Sequence, residues 1–152
     1  MGMFSVYLTI AVVTWLLTGL LRRYAISRSV MDIPNERSSH STPTPRGGGI
    51  AIVIIFLIGL AYLWGMLIVE DRAFVALLGA GLGVAVIGFM DDHAHIAARW
   101  RLLAHFSSAG WIIFWLGGFP PLLLFGYLVD LGWAGHLLAV VYLVWLLNLY
   151  NF

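Results

Sequence analysis

Five long apolar stretches alternate with short polar ones along the chain: Met3 to Leu21, Gly48 to Val69, Ala73 to Met90, Leu102 to Gly118, and Trp133 to Leu149. A helix crosses the hydrocarbon core of a bilayer with about 20 predominantly apolar residues, so each stretch predicts a membrane-spanning helix. The start of the fifth is the least sharply marked, because Phe119 to Gly132 is itself apolar and is interrupted mainly by Pro120, Pro121, Gly126 and Asp130. The expected fold is all-α, a multi-pass transmembrane helical bundle with about five spans. No internal repeat or low-complexity tract is present.

Composition sharpens this picture. Of 152 residues, 62% are hydrophobic and 10% are charged, against roughly 25% charged in a soluble domain. The formal net charge is +1 and all eight cationic residues are arginine, so nothing suggests an extended basic surface for nucleic acid. The absence of cysteine excludes disulfides, cysteine-based zinc sites and thiol nucleophiles. The first apolar run has no positive charge ahead of it and no small-residue cleavage site. Arg22 and Arg23 follow it, which marks a retained span rather than a signal peptide.

The arginines also orient the chain. Arg22, Arg23, Arg28, Arg37 and Arg46 follow span one, Arg99 and Arg101 follow span three, and only Arg72 lies elsewhere. An even number of crossings separates the two arginine-rich loops, so they share a side, which the positive-inside rule makes cytoplasmic. The N-terminus is then outside, Glu70-Asp71-Arg72 and the 119–132 connection are external, and span five delivers Asn148 and Asn151 to the cytoplasmic face. Every unusual polar cluster falls on that face.

Three clusters are candidates for chemistry. Asp91 and Asp92 close span three, where carboxylates are costly unless solvated, paired or bound to a cation. Two readings are open: a solvated helix end paired with Arg99 or Arg101, or a Mg²⁺ site, since Mg²⁺ takes one or two carboxylates and shares its other positions with phosphates and water. His93 and His95, two residues apart, face different ways on a helix and lack further ligands, which favours interfacial histidines over zinc. His105 has no evident role. The loop MDIPNERSSHSTPTPRGGG at 31–49 offers arginines, hydroxyls, His40 and free backbone amides just before a helix. It reads either as a phosphate-binding surface or as an ordinary turn back to the membrane. Without lysine it is not a Walker loop. Asn148 and Asn151 are one turn apart at the foot of span five, as ligand-holding amides or as a helix end. Gly79 and Gly83 fit small-xxx-small packing between helices, and Trp111 and Trp115 fit packing or interfacial anchoring.

DIPNERSSHSTPTPRGGG at 32–49, GFMDD at 88–92 with ARWRL at 98–102, and NLYNF at 148–152 together resemble the polyprenyl-phosphate N-acetylhexosamine-1-phosphate transferases. That family starts peptidoglycan, common-antigen, O-antigen and teichoic acid linkage intermediates. The RSSH and PTPRGGG wording is more similar to the O-antigen and common-antigen branch. The resemblance covers the whole chain but only about half of the family's fold. Its last motif reads N-x-x-N-F-x-D-G, and the aspartate would fall just past Phe152, so a truncated and by itself inactive enzyme is the expectation.

The resemblance implies transfer of a sugar-1-phosphate from a UDP-N-acetylhexosamine to polyprenyl phosphate, with release of UMP, at the cytoplasmic face of the bacterial inner membrane. It implies Mg²⁺, with Mn²⁺ as a substitute, and it admits a homodimer. It assigns Asp91 to the acceptor phosphate and Asp92 to the metal, in a division that is reversible, and gives Asn148, Asn151, Asn35, Arg37, His40 and Arg46 to substrate binding. Two alternatives stand beside it: a catalytically silent membrane fragment, and a small transporter or ion-binding membrane protein.

Overall fold

The computed structural model describes residues 3–29, 31–32, 41–45, 47–94 and 96–150. Five helices coincide with the five apolar stretches: α1 Met3–Ser27, α2 Gly49–Gly65, α3 Asp71–Ala94, α4 Ala98–Trp115 and α5 Gly132–Tyr150. Two short ribbons join them, β1 Met31–Asp32 with β2 Thr44–Pro45, and β3 Leu122–Leu124 with β4 Tyr127–Val129. The chain is an all-α multi-pass membrane protein. Phe4–Ser27, Asp71–Ala94 and Gly132–Leu149 are each long and apolar enough to cross a bilayer. The 17-residue α2 is apolar but shorter, and α4 is diluted by Arg99, Arg101 and His105 in its first two turns.

Contacts divide the chain into two compact units, Met1–Gly59 with Phe89–His95, and Leu60–Gly88 with Ile96–Phe152. In the first unit, α1 carries Thr9, Thr14 and Thr18 within an apolar helix. Each hydroxyl donates to the carbonyl four residues back, at 2.8, 2.7 and 2.8 Å, which removes the cost of placing a polar group in hydrocarbon. The β1–β2 ribbon pairs Met31 with Pro45 and Asp32 with Thr44, antiparallel, and β2 packs against α1.

In the second unit α3 and α4 are antiparallel neighbours held by small residues. A Cβ at Gly79 would overlap the Trp111 indole, and one at Gly83 would lie 2.5 Å from Ser108 Oγ. Trp111 cannot yield freely, because its Nε1 donates to the Val75 carbonyl at 3.0 Å. Ala76, Ala109 and Ala139 are buried in this unit beside Leu60 and Val144, and such small residues are expected where helices associate by close backbone approach in lipid. Gly79→Ala is therefore expected to destabilise by about 1–3 kcal/mol. Gly88→Ala, with nothing within 4 Å of the new Cβ, should be neutral or favourable, and thermal unfolding in detergent compares the two.

The helix ends depart from the expected spans for identifiable reasons. Span two was expected to reach Val69, yet the helix ends at Gly65. The Leu67 amide donates to the Trp64 carbonyl and the Ile68 amide to the Leu63 carbonyl, at 2.9 and 3.0 Å, the Schellman pattern that ends a helix in a left-handed residue. That residue is Leu67, at φ 59°, where a side chain costs roughly 1–2 kcal/mol that glycine avoids. Helix α4 closes the same way with Gly117, at φ 81°, in that position.

The 119–132 connection forms the β3–β4 hairpin, with Leu122, Leu123 and Leu124 opposite Val129, Leu128 and Tyr127. Its two turn residues, Phe125 and Gly126, both have positive φ, 50° and 88°, the mark of a type I′ turn. The Phe119 amide donates to His136 Nδ1 at 3.0 Å, tying the end of α4 to the start of α5. Asp130 Oδ1 accepts from the Gly132 amide at 2.8 Å and caps α5.

Candidate active site

Asp91 and Asp92 occupy the last helical turns of α3, three and four residues beyond Gly88, where an apolar run gives way to Asp-Asp-His. Both side chains are half-buried, and neither is without an interaction partner. Because 3.6 residues complete a turn, consecutive side chains point about 100° apart. The two carboxylates thus address different directions from one point on the helix, which suits two distinct tasks.

His93 shares that turn and is engaged with its own helix. Its ring lies 4.2 Å, centroid to centroid, from Phe89, and Nδ1 is 2.8 Å from the Phe89 carbonyl. A carbonyl only accepts, so this contact is a hydrogen bond when Nδ1 carries the proton. His95 lies outside the described residues. Among the described residues no group of three or more His, Asp or Glu side chains is placed to hold a metal ion. Two adjacent carboxylates are a donor set that would suit Mg²⁺, which takes one or two carboxylates and completes its shell with substrate phosphate and water.

The end of α3 from Phe89 to His95 groups with Met1–Gly59, so Asp91 and Asp92 belong to the compact unit that also contains the base of the 31–49 loop. The β1–β2 ribbon closes that loop at its foot. Gly47 turns the chain into α2 at φ 85°, a value that suits glycine, and its carbonyl accepts from the Ile50 amide at 3.1 Å. A Cβ at Gly48 or Gly49 would meet nothing within 4 Å. Among the described residues, then, none stands against the backbone at Gly48 and Gly49. Asn35, Arg37, His40 and Arg46, the side chains expected to bind substrate in this loop, lie outside the described residues.

Asn148 belongs to the second unit. It is half-buried in the final turns of α5, and its Nδ2 donates to the Val144 carbonyl at 2.8 Å. This fixes the amide's orientation and leaves Oδ1 as the group with acceptor capacity to offer. Asn151 lies outside the described residues. The structure also singles out His105 and Ser108 as buried polar side chains on α4, with no hydrogen-bond partner for His105 Nδ1 among the described residues. The sequence signal for their burial was their spacing of three, beside Ala109, on the face that meets the glycines of α3.

A family model described as glycosyl transferase family 4 matches residues 74–152, a stretch that includes Asp91, Asp92 and Asn148. A decaprenyl-phosphate N-acetylglucosaminephosphotransferase of Mycobacterium tuberculosis is 37% identical over 111 residues, which cover 69% of this chain and 26% of that protein. The protein of the same name from Mycobacterium leprae is also 37% identical over 111 residues, with the same coverage of both chains. A probable undecaprenyl-phosphate N-acetylglucosaminyl 1-phosphate transferase of Bacillus subtilis is 28% identical over 139 residues, or 90% of this chain and 38% of the relative. The matches thus span between 26% and 38% of the length of these relatives. No solved structure matches the chain.

Proposed function

We propose, from the premise that this chain belongs to glycosyl transferase family 4, that the whole protein transfers N-acetylglucosamine-1-phosphate from UDP-N-acetylglucosamine to a polyprenyl phosphate such as undecaprenyl phosphate. The observation that carries this reading is the placement of Asp91 and Asp92 together on the last turns of a membrane-length helix, inside the stretch that matches the family. The sugar is taken from the names of the relatives, which all specify N-acetylglucosamine. The lipid-linked product would initiate a cell-envelope glycan of the O-antigen type or a related one.

In the proposed reaction a phosphate oxygen of the polyprenyl phosphate forms a bond to the β-phosphorus of the UDP-sugar. The bond from that phosphorus to the bridging oxygen breaks, and the electron pair leaves with UMP. The acceptor is a phosphate monoester with a second pKa near 6, so it is largely dianionic at neutral pH and needs orientation more than deprotonation. Asp91 is assigned to orienting the acceptor and accepting any remaining proton. Asp91 and Asp92 would hold Mg²⁺, or Mn²⁺ in its place, which when bound neutralises pyrophosphate charge and that on the departing UMP. Arg46 offers paired donors for phosphate, and Asn35, Arg37 and His40 organise the loop beside the nucleotide sugar.

Asn148 is assigned to the sugar nucleotide through the Oδ1 that its bond to Val144 orients, and Asn151 to the same substrate. Asn148→Ala is expected to raise KM for the UDP-sugar about tenfold, the worth of roughly one hydrogen bond, with kcat less affected. Initial rates against UDP-sugar concentration check this.

The proposed orientation follows the arginines: the loops after α1 and α3 face the cytoplasm, where UDP-sugars are made, and the N-terminus faces outward. The reading is tested by purifying the whole protein in detergent and measuring UMP from UDP-N-acetylglucosamine with and without undecaprenyl phosphate. UMP formation that requires the acceptor supports it. UMP formation indifferent to the acceptor, or none with any UDP-N-acetylhexosamine, overturns it.

A further inference from the structure

Two bulky apolar residues in the second unit adopt a backbone conformation that normally belongs to glycine. Leu67, in the turn from α2 to α3, has φ 59° and is 92% exposed, and Phe125, at the tip of the β3–β4 hairpin, has φ 50° and is 100% exposed. They stand at the same end of that unit. The Trp111 to Val75 hydrogen bond sets the end of α4 beside the start of α3, and the Phe119 to His136 bond brings the start of α5 there too. Asparagine or glycine would fit both turns without the left-handed penalty. Strain held at a fully exposed residue, with no packing inside the unit to compensate it, points to a partner outside the unit.

The medium can be deduced by elimination. A hairpin with one face in water alternates polar and apolar residues, but residues 122–129 contain no charged side chain, and Leu123, Leu124, Tyr127 and Leu128 are exposed on a ribbon apolar on both faces. Water is therefore a poor solvent for it. The hydrocarbon core is no better. Among the described residues the ribbon has two three-residue strands and no third, so the outer amides and carbonyls of both strands face away from the sheet, and open sheet edges are not tolerated in lipid hydrocarbon.

Both demands are met at the boundary, where headgroups and water reach the strand edges while acyl chains cover the side chains. Aromatic residues that favour this level surround the site: Trp133 is exposed at the start of α5, and Trp64 stacks on Phe74 at 4.5 Å while its Nε1 donates to Asp71 at 2.8 Å. We infer that Leu67 and Phe125 are the two lipid-seated tips of an interfacial anchor, whose partner is the phospholipid headgroup–acyl boundary and whose effect is to fix the depth of α3, α4 and α5.

The chain has no cysteine, so Phe125→Cys and Leu67→Cys each place one thiol for a nitroxide label. Any cysteine elsewhere in the whole protein is first replaced by serine. The labelled proteins are reconstituted into phosphatidylethanolamine–phosphatidylglycerol vesicles, and collisions with oxygen and with a water-soluble nickel chelate are compared by electron paramagnetic resonance, with Leu137→Cys on α5 as the lipid-facing reference. The anchor predicts oxygen collisions several-fold above nickel collisions at both tips, at a depth shallower than position 137. Nickel collisions in excess would place the tips in water and overturn it. Shielding from both reagents would mean that protein, from another segment or a second copy, covers them, and would overturn it equally. The two sites are read separately, so a variant that fails to fold leaves the other as the test.

Discussion

Asp91→Asn and Asp92→Asn are each expected to lower acceptor-dependent UMP formation by the whole protein on the order of 100-fold or more, the usual cost of removing one preorganised charge-stabilising group from an active site. Asparagine keeps the volume and removes the negative charge. Both residues are half-buried near the end of a long helix, so the change should spare the fold and act on chemistry. The two variants should also differ. If Asp92 serves the metal, Asp92→Asn raises the Mg²⁺ concentration needed for half-maximal rate. If Asp91 serves the acceptor, Asp91→Asn lowers kcat at saturating Mg²⁺ and raises KM for the polyprenyl phosphate. Interchanged behaviour reverses the assignment, while near-normal rates in both variants remove these aspartates from the reaction.

Chelation is expected to have an effect at least as large. Among the described residues two adjacent carboxylates are the candidate protein donors in this turn, so the cation would be held largely by substrate phosphate and should exchange readily with solution. EDTA should reduce UMP formation to background, and excess Mg²⁺ should restore it fully, with Mn²⁺ a partial or full substitute. Ca²⁺, larger and preferring more ligands, should restore little. Activity that survives exhaustive chelation would contradict the assignment of Asp91 and Asp92 to a metal.

Much of the helical framework was legible because runs of apolar residues near bilayer length admit few other structures. The spacing of Gly79 and Gly83 also announced a close helix contact, although only the structure identifies Trp111 and Ser108 as the groups they admit. The ends of elements were less legible. Span two was expected to reach Val69, because a left-handed helix terminator is ordinarily glycine and nothing marks Leu67 for that position. The β3–β4 hairpin was hidden for a related reason: its strands lack alternation, and its turn is Phe-Gly where Asn-Gly is the recognisable signal. Both departures occur at the end inferred to sit at the lipid boundary, where local propensity yields to the surrounding medium.

The candidate site divides similarly. Asp91 and Asp92 stood out because two carboxylates ending an apolar run are costly without a function or a partner. Their membership in the same compact unit as the base of the 31–49 loop is a tertiary property that no spacing reveals. Nor could sequence show that the Asn148 amide donates to the Val144 carbonyl, which fixes the direction in which its oxygen and its second N–H are presented.

The central claim is that a sugar moves together with its phosphate, and the fate of the β-phosphorus tests it most directly. UDP-N-acetylglucosamine carrying radioactive phosphorus only in the β-position is incubated with the whole protein, undecaprenyl phosphate and Mg²⁺, and the organic and aqueous phases are then separated. Sugar-1-phosphate transfer predicts label in the lipid phase in a one-to-one ratio with UMP formed, and loss of that transfer in the Asp91→Asn and Asp92→Asn proteins. Label retained in water as UDP, while the sugar alone passes to the lipid, would contradict the account.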